Sequence, residues 1–391
     1  MALFDKAEYL ERLAKVKASM SKKGIDVLLV ADPANQCYLT GHNAWSFYVP
    51  QIVAVAMDDE MPLFFGRFMD TFVGVPKTTW LDKEHIHAYS DDYVQTLAKH
   101  PMDHMARLLA ELGYGKKTFG VETDSYYFTV RSFESLKKGL PDAKFADGDL
   151  IVNWVKLIKS DKEIEMIRRA GTLASKAMAI GTEMIRPGVR QSDVAAAIVG
   201  AMVAGTEDFG GEIPSVVPLM PCGDTAGAPH LSWNESRFPE NITLYVEIAG
   251  CYQRYHCPMS RTVSIGPPPP HVVETVKITT EGLFAALEAV KPGIACEEVE
   301  AAWRKTVAKY GIKKESRIGY SIGMTFPPDW GERTVSLRAG DKTVLQPNMT
   351  FHCVPGMYYS DYGVTISQCI RVTETGHEKM SDFPFDLIVN T

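Results

Sequence analysis

A single acid, Glu247, interrupts an apolar run from Ile242 to Ile248. A carboxylate among Leu244, Tyr245, Val246 and Ile248 is costly to bury unless it is paired or hydrogen-bonded. Burial raises its pKa and makes its charge respond to a ligand. One such carboxylate can pair with a flat cation or attack the cation's central carbon. The residues alone leave two other readings open. Glu247 faces solvent on an edge strand, or a structural arginine such as Arg261 holds it.

The elements around Glu247 follow from local pattern. The stretch from Leu244 to Thr262 reads as two β-strands, with Ala249-Gly250 as the turn and alternation resuming through Tyr252, Arg254 and His256. Ser160 with Glu163 three residues on forms a capping box that opens a long helix. Ile185-Arg186-Pro187-Gly188 recurs as Val290-Lys291-Pro292-Gly293, each copy following a long helix and starting another. Such a duplication fits two related αβ halves with a site between them.

The N-terminal part predicts a helix over 6–22 ended by Gly24, a strand over 25–30, and a turn at Asp32–Asn35. An aromatic loop runs through Trp45, Phe47 and Tyr48. Strands follow at 52–57, 62–65 and 118–121, with a helix at 102–112. This alternation predicts a three-layer α/β domain. No Gly-x-Gly-x-x-Gly follows the first strand, so a dinucleotide fold is not expected. The seam falls within 147–158, giving domains 1–155 and 156–391.

The 391 residues suffice for two domains and a large core, and 46% hydrophobic with 23% charged residues is ordinary for a soluble globular protein. A net charge of −7 argues against a nucleic-acid binder. No apolar run is long enough to span a membrane, and the first residues lack the apolar core of a signal peptide. The seven cysteines form no Cys-x-x-Cys pair and are odd in number. Free, mostly buried thiols in a reducing cytoplasm are expected.

The strand pair, the Ile158-Lys159-Ser160 opening and the repeat together resemble the creatinase/methionine aminopeptidase/aminopeptidase P superfamily, the pita-bread enzymes. The resemblance covers nearly the whole chain. It implies a creatinase-like α/β protein: an α+β pita-bread C-terminal domain behind a smaller three-layer α/β N-terminal domain. Its metallopeptidases carry metal at five positions. Those positions are Glu247, Pro258, Tyr320, Val354 and Ser367 here. Only Glu247 keeps a ligand type, so no metal and no other cofactor is expected. His352 and Gln368, close in sequence to lost ligands, read as polar wall. His230 falls on the histidine that the resemblance implies as acid/base, and its side chain titrates near working pH.

Creatinase grips a guanidinium with two glutamates, at positions that are Ser260 and Val354 here. Creatine is therefore a poor candidate. Leu39-Thr40-Gly41, Ala44-Trp45-Ser46-Phe47-Tyr48-Val49, Gly319-Tyr320-Ser321-Ile322-Gly323 and Pro327 through Thr334 instead resemble the metal-free ectoine hydrolase branch. That resemblance implies opening of a cyclic amidine to N-acetyl-L-2,4-diaminobutyrate, from ectoine or 5-hydroxyectoine. Glu247 would be nucleophile or anion and His230 the acid/base. Tyr320, Trp330, Trp45, Phe47 and Tyr48 would wall a small zwitterionic substrate, and Arg333, beside Glu332, would hold its carboxylate. The same resemblance implies a homodimer in which the N-terminal domain reaches the neighbouring site, and a possible downstream deacetylase. The alternatives are a creatinase-like amidinohydrolase on another small cation, or a non-catalytic pita-bread binding protein. Trp45–Tyr48 as an aromatic core or dimer patch, and Arg333–Glu332 as a surface ion pair, are the structural counterparts.

Overall fold

The computed structural model describes residues 2–391, and the chain forms two compact units, Met1–Val155 and Lys156–Thr391. In the first, α1 (Lys6–Lys23) starts at Asp5, whose carboxylate accepts from the Glu8 amide at 3.0 Å. It stops at Gly24, which takes the left-handed conformation. Tyr9, Leu13, Val16 and Met20 fall on one helical stripe and are buried. β1 (Val27–Val30) is buried along its whole length.

The expected turn at Asp32–Asn35 is instead the start of a helix, α2 (Pro33–Thr40). Asp32 caps it, accepting from the Ala34 and Asn35 amides at 2.8 and 3.3 Å, and Pro33 sits in the first turn, where its missing N–H costs nothing. The unit continues through β2 (Ile52–Ala56), β3 (Leu63–Arg67), α3 (Phe68–Thr78), β4 (Ile86–Tyr89), α4 (Pro101–Glu111), β5 (Thr118–Val121), α5 (Val130–Gly139) and β6 (Lys144–Asp147). The six strands form one mixed sheet in the order β4-β3-β2-β1-β5-β6. Alternate residues Val27 and Leu29 of β1 pack with Met102, Met105 and Leu109 of α4 and Leu136 of α5.

After α6 (Ile151–Lys156), the second unit opens with α7 (Asp161–Met184). Here the capping box is formed: the Glu163 amide donates to Ser160 Oγ at 3.3 Å and the Ser160 amide to Glu163 Oε2 at 2.9 Å. α8 (Gln191–Ala204) follows, then β7 (Ile242–Tyr252) and β8 (Tyr255–Ile265). α9 (Pro270–Ala289) and α10 (Cys296–Ala308) repeat the helix pair. Gly188 and Gly293, the two repeat glycines, both adopt positive φ between the helices of their pairs.

The remaining strands are β9 (Gly319–Ile322), β10 (Gly331–Leu337), β11 (Thr350–Cys353), β12 (Met357–Tyr358), β13 (Gly363–Val364), β14 (Gln368–Val372), β15 (His377–Lys379) and β16 (Ile388–Asn390). They make a sheet ordered β10-β9-β11-β14-β15, a small β12-β13 pair, and a sheet ordered β16-β8-β7. This is the mixed α/β architecture expected, with a pita-bread C-terminal unit.

The β7–β8 turn lies elsewhere than expected. Pairing continues through Ala249↔Pro258 and Gly250↔Cys257 to Tyr252↔Tyr255. Gln253 and Arg254 make the turn, both with positive φ, as a two-residue hairpin loop of matching twist requires. Gly250 serves packing instead: a Cβ there would collide with the Ala170 carbonyl oxygen of α7. Arg254 then fastens the turn from within. Its guanidinium donates to the Ile213 carbonyl at 2.8 Å, to Ser215 Oγ at 3.0 Å and to the Thr325 carbonyl.

Candidate active site

Glu247 sits in the middle of β7, opposite Ser260 of β8. On its other side Leu219 exchanges two backbone hydrogen bonds with it, both 2.9 Å. Leu244, Val246 and Ile248 point to one face and pack with Ala174, Ala177 and Met178 of α7. Tyr245 and Glu247 therefore share the opposite face. Glu247 is only 7% exposed, so the solvent-facing alternative fails. The Arg261 alternative fails as well. That guanidinium donates to the carbonyls of Ser260, Ser367 and Phe383 at 2.7, 2.8 and 2.8 Å, and to that of Pro384. Burial pushes the Glu247 carboxyl up to about 7, a carboxylate poised at neutral pH.

Three tyrosine hydroxyls lie within reach of this carboxylate's charge. Burial, then the Glu247 charge, holds the Tyr245, Tyr320 and Tyr358 hydroxyls well above the usual phenol range. Tyr245 donates to the Ala228 carbonyl at 3.2 Å and meets Tyr358 edge-on at 6.0 Å. Tyr320 on β9 lies directly opposite His352 on β11, ring to ring at 5.4 Å. Trp330, buried just ahead of β10, donates its indole N–H to the Tyr320 hydroxyl at 2.7 Å. Arg317 stacks on the Tyr320 ring at 4.4 Å and donates to Ser336 Oγ at 3.1 Å.

Other expected residues lie differently. His352 is not a wall of the site. It is fully buried behind Tyr320, with Nδ1 3.0 Å from the Tyr320 hydroxyl and Nε2 2.8 Å from Ser367 Oγ. Burial, with Arg261 and Arg317 nearby, holds its imidazole down to about 3. Gln368 is tied to the Cys369 carbonyl and to Ser381, and serves packing. Glu332 lies in the interior and not on the surface. It is buried against Lys159 at 2.6 Å, which commits it to structure rather than to substrate. Arg333 is half-buried with positive φ, in the irregular part of β10 where pairing to β9 shifts register.

His230 is exposed on a turn two residues before Ser232. Leu219 bridges Ser232 and Glu247, one from each side. The imidazole makes no hydrogen bond or ion pair to Glu247 among the described residues. Trp45 and Tyr48, at 53% and 69% exposure, stand on the surface of the N-terminal unit and so are no aromatic core. Phe47 packs between Trp45 and Tyr127.

Sequence reasoning missed Tyr245, Tyr358 and Arg317. The period-two rule would have found Tyr245, two residues from Glu247 on one strand. No comparable signal marks the other two.

The donor set does not fit a two-metal centre. Of the five positions, Pro258 and Val354 offer no side-chain donor, and Tyr320 and Ser367 are joined through His352. Among the described residues no three His, Cys, Asp or Glu side chains are placed to hold a metal ion.

This architecture and site belong to a recognisable class. Residues 165–374 match the model for metallopeptidase family M24, and residues 12–158 match the creatinase/prolidase N-terminal domain. The chain belongs to this family and is a hydrolase of it. It is 42% identical to the ectoine hydrolase of Halomonas elongata, over 99% of this chain and 98% of that one. It is 26% identical to the Xaa-Pro dipeptidase of Pyrococcus horikoshii, over 97% of this chain and 99% of that one. The fold matches the crystal structure of dipeptidase PepE from Mycobacterium ulcerans, with TM-score 0.81 and 23% identity over 99% of each chain.

Proposed function

We propose that this chain is a metal-independent hydrolase that opens the cyclic amidine ring of ectoine or 5-hydroxyectoine, giving N-acetyl-L-2,4-diaminobutyrate. One observation carries the reading: a single buried carboxylate, Glu247, poised near neutrality among tyrosines where the family's metal donors are replaced. The 42% identity to an ectoine hydrolase supports the choice of ring. An arriving amidinium returns Glu247 to its charged form, because the cation supplies what burial removed. Glu247 then attacks the amidinium carbon or aligns a water for that attack. One C–O bond forms and one C–N bond breaks. Both water hydrogens end on the released nitrogen, and the oxygen stays on carbon.

His230, exposed on the segment that Leu219 joins to Glu247, is the acid/base that moves protons between the ring nitrogen, the water and the carboxylate. Tyr320 and Trp330 wall the ring, and Arg333 holds the substrate carboxylate. A second copy of the chain lends Trp45, Phe47 and Tyr48 to the site. The large apolar exposure of this loop, continued on α3 by Phe68 and Phe72, supports such a homodimer. We place the enzyme in the cytoplasm. Its product carries an N-acetyl group, which suits a downstream deacetylase. No helix among the described residues is long and apolar enough to cross a membrane.

The test is incubation of chelator-treated protein with ectoine, read by mass spectrometry. A product one water heavier, formed at the same rate with and without chelator, is expected. Turnover that stops with chelator and returns with a divalent metal would refute metal independence. No turnover under any condition would refute the substrate.

A further inference from the structure

A continuous chain of hydrogen bonds runs behind Tyr320. The Trp330 indole N–H donates to the Tyr320 oxygen at 2.7 Å. The Tyr320 oxygen lies 3.0 Å from His352 Nδ1, and His352 Nε2 lies 2.8 Å from Ser367 Oγ. At the far end the Ser260 amide donates to Ser367 Oγ at 2.8 Å.

Hydrogens outnumber contacts in this chain. The two ends are fixed, because an indole N–H and a backbone N–H only donate. Between them lie two contacts and three hydrogens: the Tyr320 hydroxyl's, the one on a neutral imidazole, and the Ser367 hydroxyl's. If His352 carries its hydrogen on Nε2, it donates to Ser367, Tyr320 donates to Nδ1, and the Ser367 hydrogen is stranded. If His352 carries it on Nδ1, it donates to Tyr320, Ser367 donates to Nε2, and the Tyr320 hydrogen is left over.

The two ends are not equivalent. Ser367 is 0% exposed, and a buried donor stranded there loses the hydrogen bond that water gives it in the unfolded chain. Tyr320 is half-buried, its contact with His352 lies nearer the surface than that of Ser367, and the Glu247 charge reaches its hydroxyl. We infer that the surplus hydrogen belongs to Tyr320: His352 is the Nδ1–H tautomer, and Tyr320 presents a fixed O–H donor to the space beside Glu247. Its acceptor there is the oxygen that adds to the reacting carbon, a role that rests on the hydrolase reading above. Tyr320 keeps its proton throughout and stabilises charge on that oxygen. His352, Ser367 and Ser260 are positioning residues that aim it. The positions that carry metal in the family's peptidases thus hold a donor that needs no ion.

The test begins on the native full chain, with no substrate. Nitrogen NMR of histidine-labelled protein at neutral pH, with His352 assigned by its loss in His352→Asn, reads the tautomer directly. A protonated Nδ1 and bare Nε2 are expected. A protonated Nε2 overturns the inference whatever the enzyme does with ectoine, whereas a protonated Nδ1 without turnover leaves the donor standing and removes only the substrate. Kinetics then test the role. Tyr320→Phe lowers kcat about 10²-fold, as loss of one donor to a developing charge does, with little change in KM. His352→Asn, whose amide still donates toward Tyr320, retains most of the turnover that His352→Leu loses. Equal losses in both histidine variants, or a Tyr320→Phe effect confined to KM, would overturn it.

Discussion

Replacing Glu247 with glutamine removes a titratable proton from the core while keeping the side chain's size. The two proteins then differ in stability only where Glu247 is driven to ionise. The carboxyl has an ordinary value of 4.5 and stands at about 7 in the fold. Its folded value is raised, so the folded state holds the proton more tightly than the unfolded chain. That contribution is complete below pH 4.5, declines as pH rises, and is gone above about 7. The span corresponds to about 3 kcal/mol of destabilisation of the wild type at pH 8, the cost of keeping a charge in this pocket. Glutamine, neutral at every pH, escapes it. Urea titrations of both proteins at pH 4.5 and pH 8 should show near-equal stability at the lower pH. At the higher pH the variant should be more stable by about 3 kcal/mol. All other ionising groups are shared and cancel in the difference. The same variant should show no turnover of ectoine. A stability difference independent of pH would refute the burial argument. A variant that turns over ectoine at near-normal rate would refute the role of the carboxylate.

Lys159→Ala takes the ion-pair partner from buried Glu332 and should cost roughly 3–5 kcal/mol by chemical denaturation, whereas replacing both partners with apolar residues should cost much less. Gly250→Ala drives a methyl into the Ala170 carbonyl and should lower stability by about 1–3 kcal/mol, seen as a lower melting temperature. Trp45→Ala and Tyr48→Ala, being exposed, should change stability by no more than about 0.5 kcal/mol yet reduce kcat/KM for ectoine, and unchanged kinetics would remove that loop from the site.

Local rules carried far in this chain. Polar chemistry at a helix start made Ser160–Glu163 readable, because both partners lie within four residues. The apolar neighbours of Glu247 pointed to burial but left a solvent-facing edge strand open, and the Leu219 segment that covers β7 decides it. Glycine misled at Gly250: its usual sense is a turn, but its use here is close approach of a helix. The true turn rests on Gln253 and Arg254, whose left-handed backbone is held by Arg254 contacts from distant segments. Asp32 reads as turn or cap with equal right, and eight buried residues after it decide for the helix. The Tyr320–His352–Ser367 chain needed two strands and the segment entering a third brought side by side, a tertiary fact that no spacing encodes. Glu332 shows the same limit, since its partner Lys159 lies 173 positions away.

The sheet bearing Glu247 is finished by a strand from far downstream. β16 lies parallel beside β8, pairing Asn390 with Ile265, and Asn390 is fixed by the Thr182 and Ile185 carbonyls at 2.7 and 2.6 Å. During synthesis, roughly 125 residues separate the two strands. At about 5–20 residues per second, β8 emerges with a bare edge roughly 6–25 s before its neighbour exists. The hairpin must wait in that state, and an unpaired strand edge is a template for other chains. Nascent chains stalled or cut between residues 265 and 388 therefore carry an open strand edge that the complete chain covers, and chaperone cover matters during that interval.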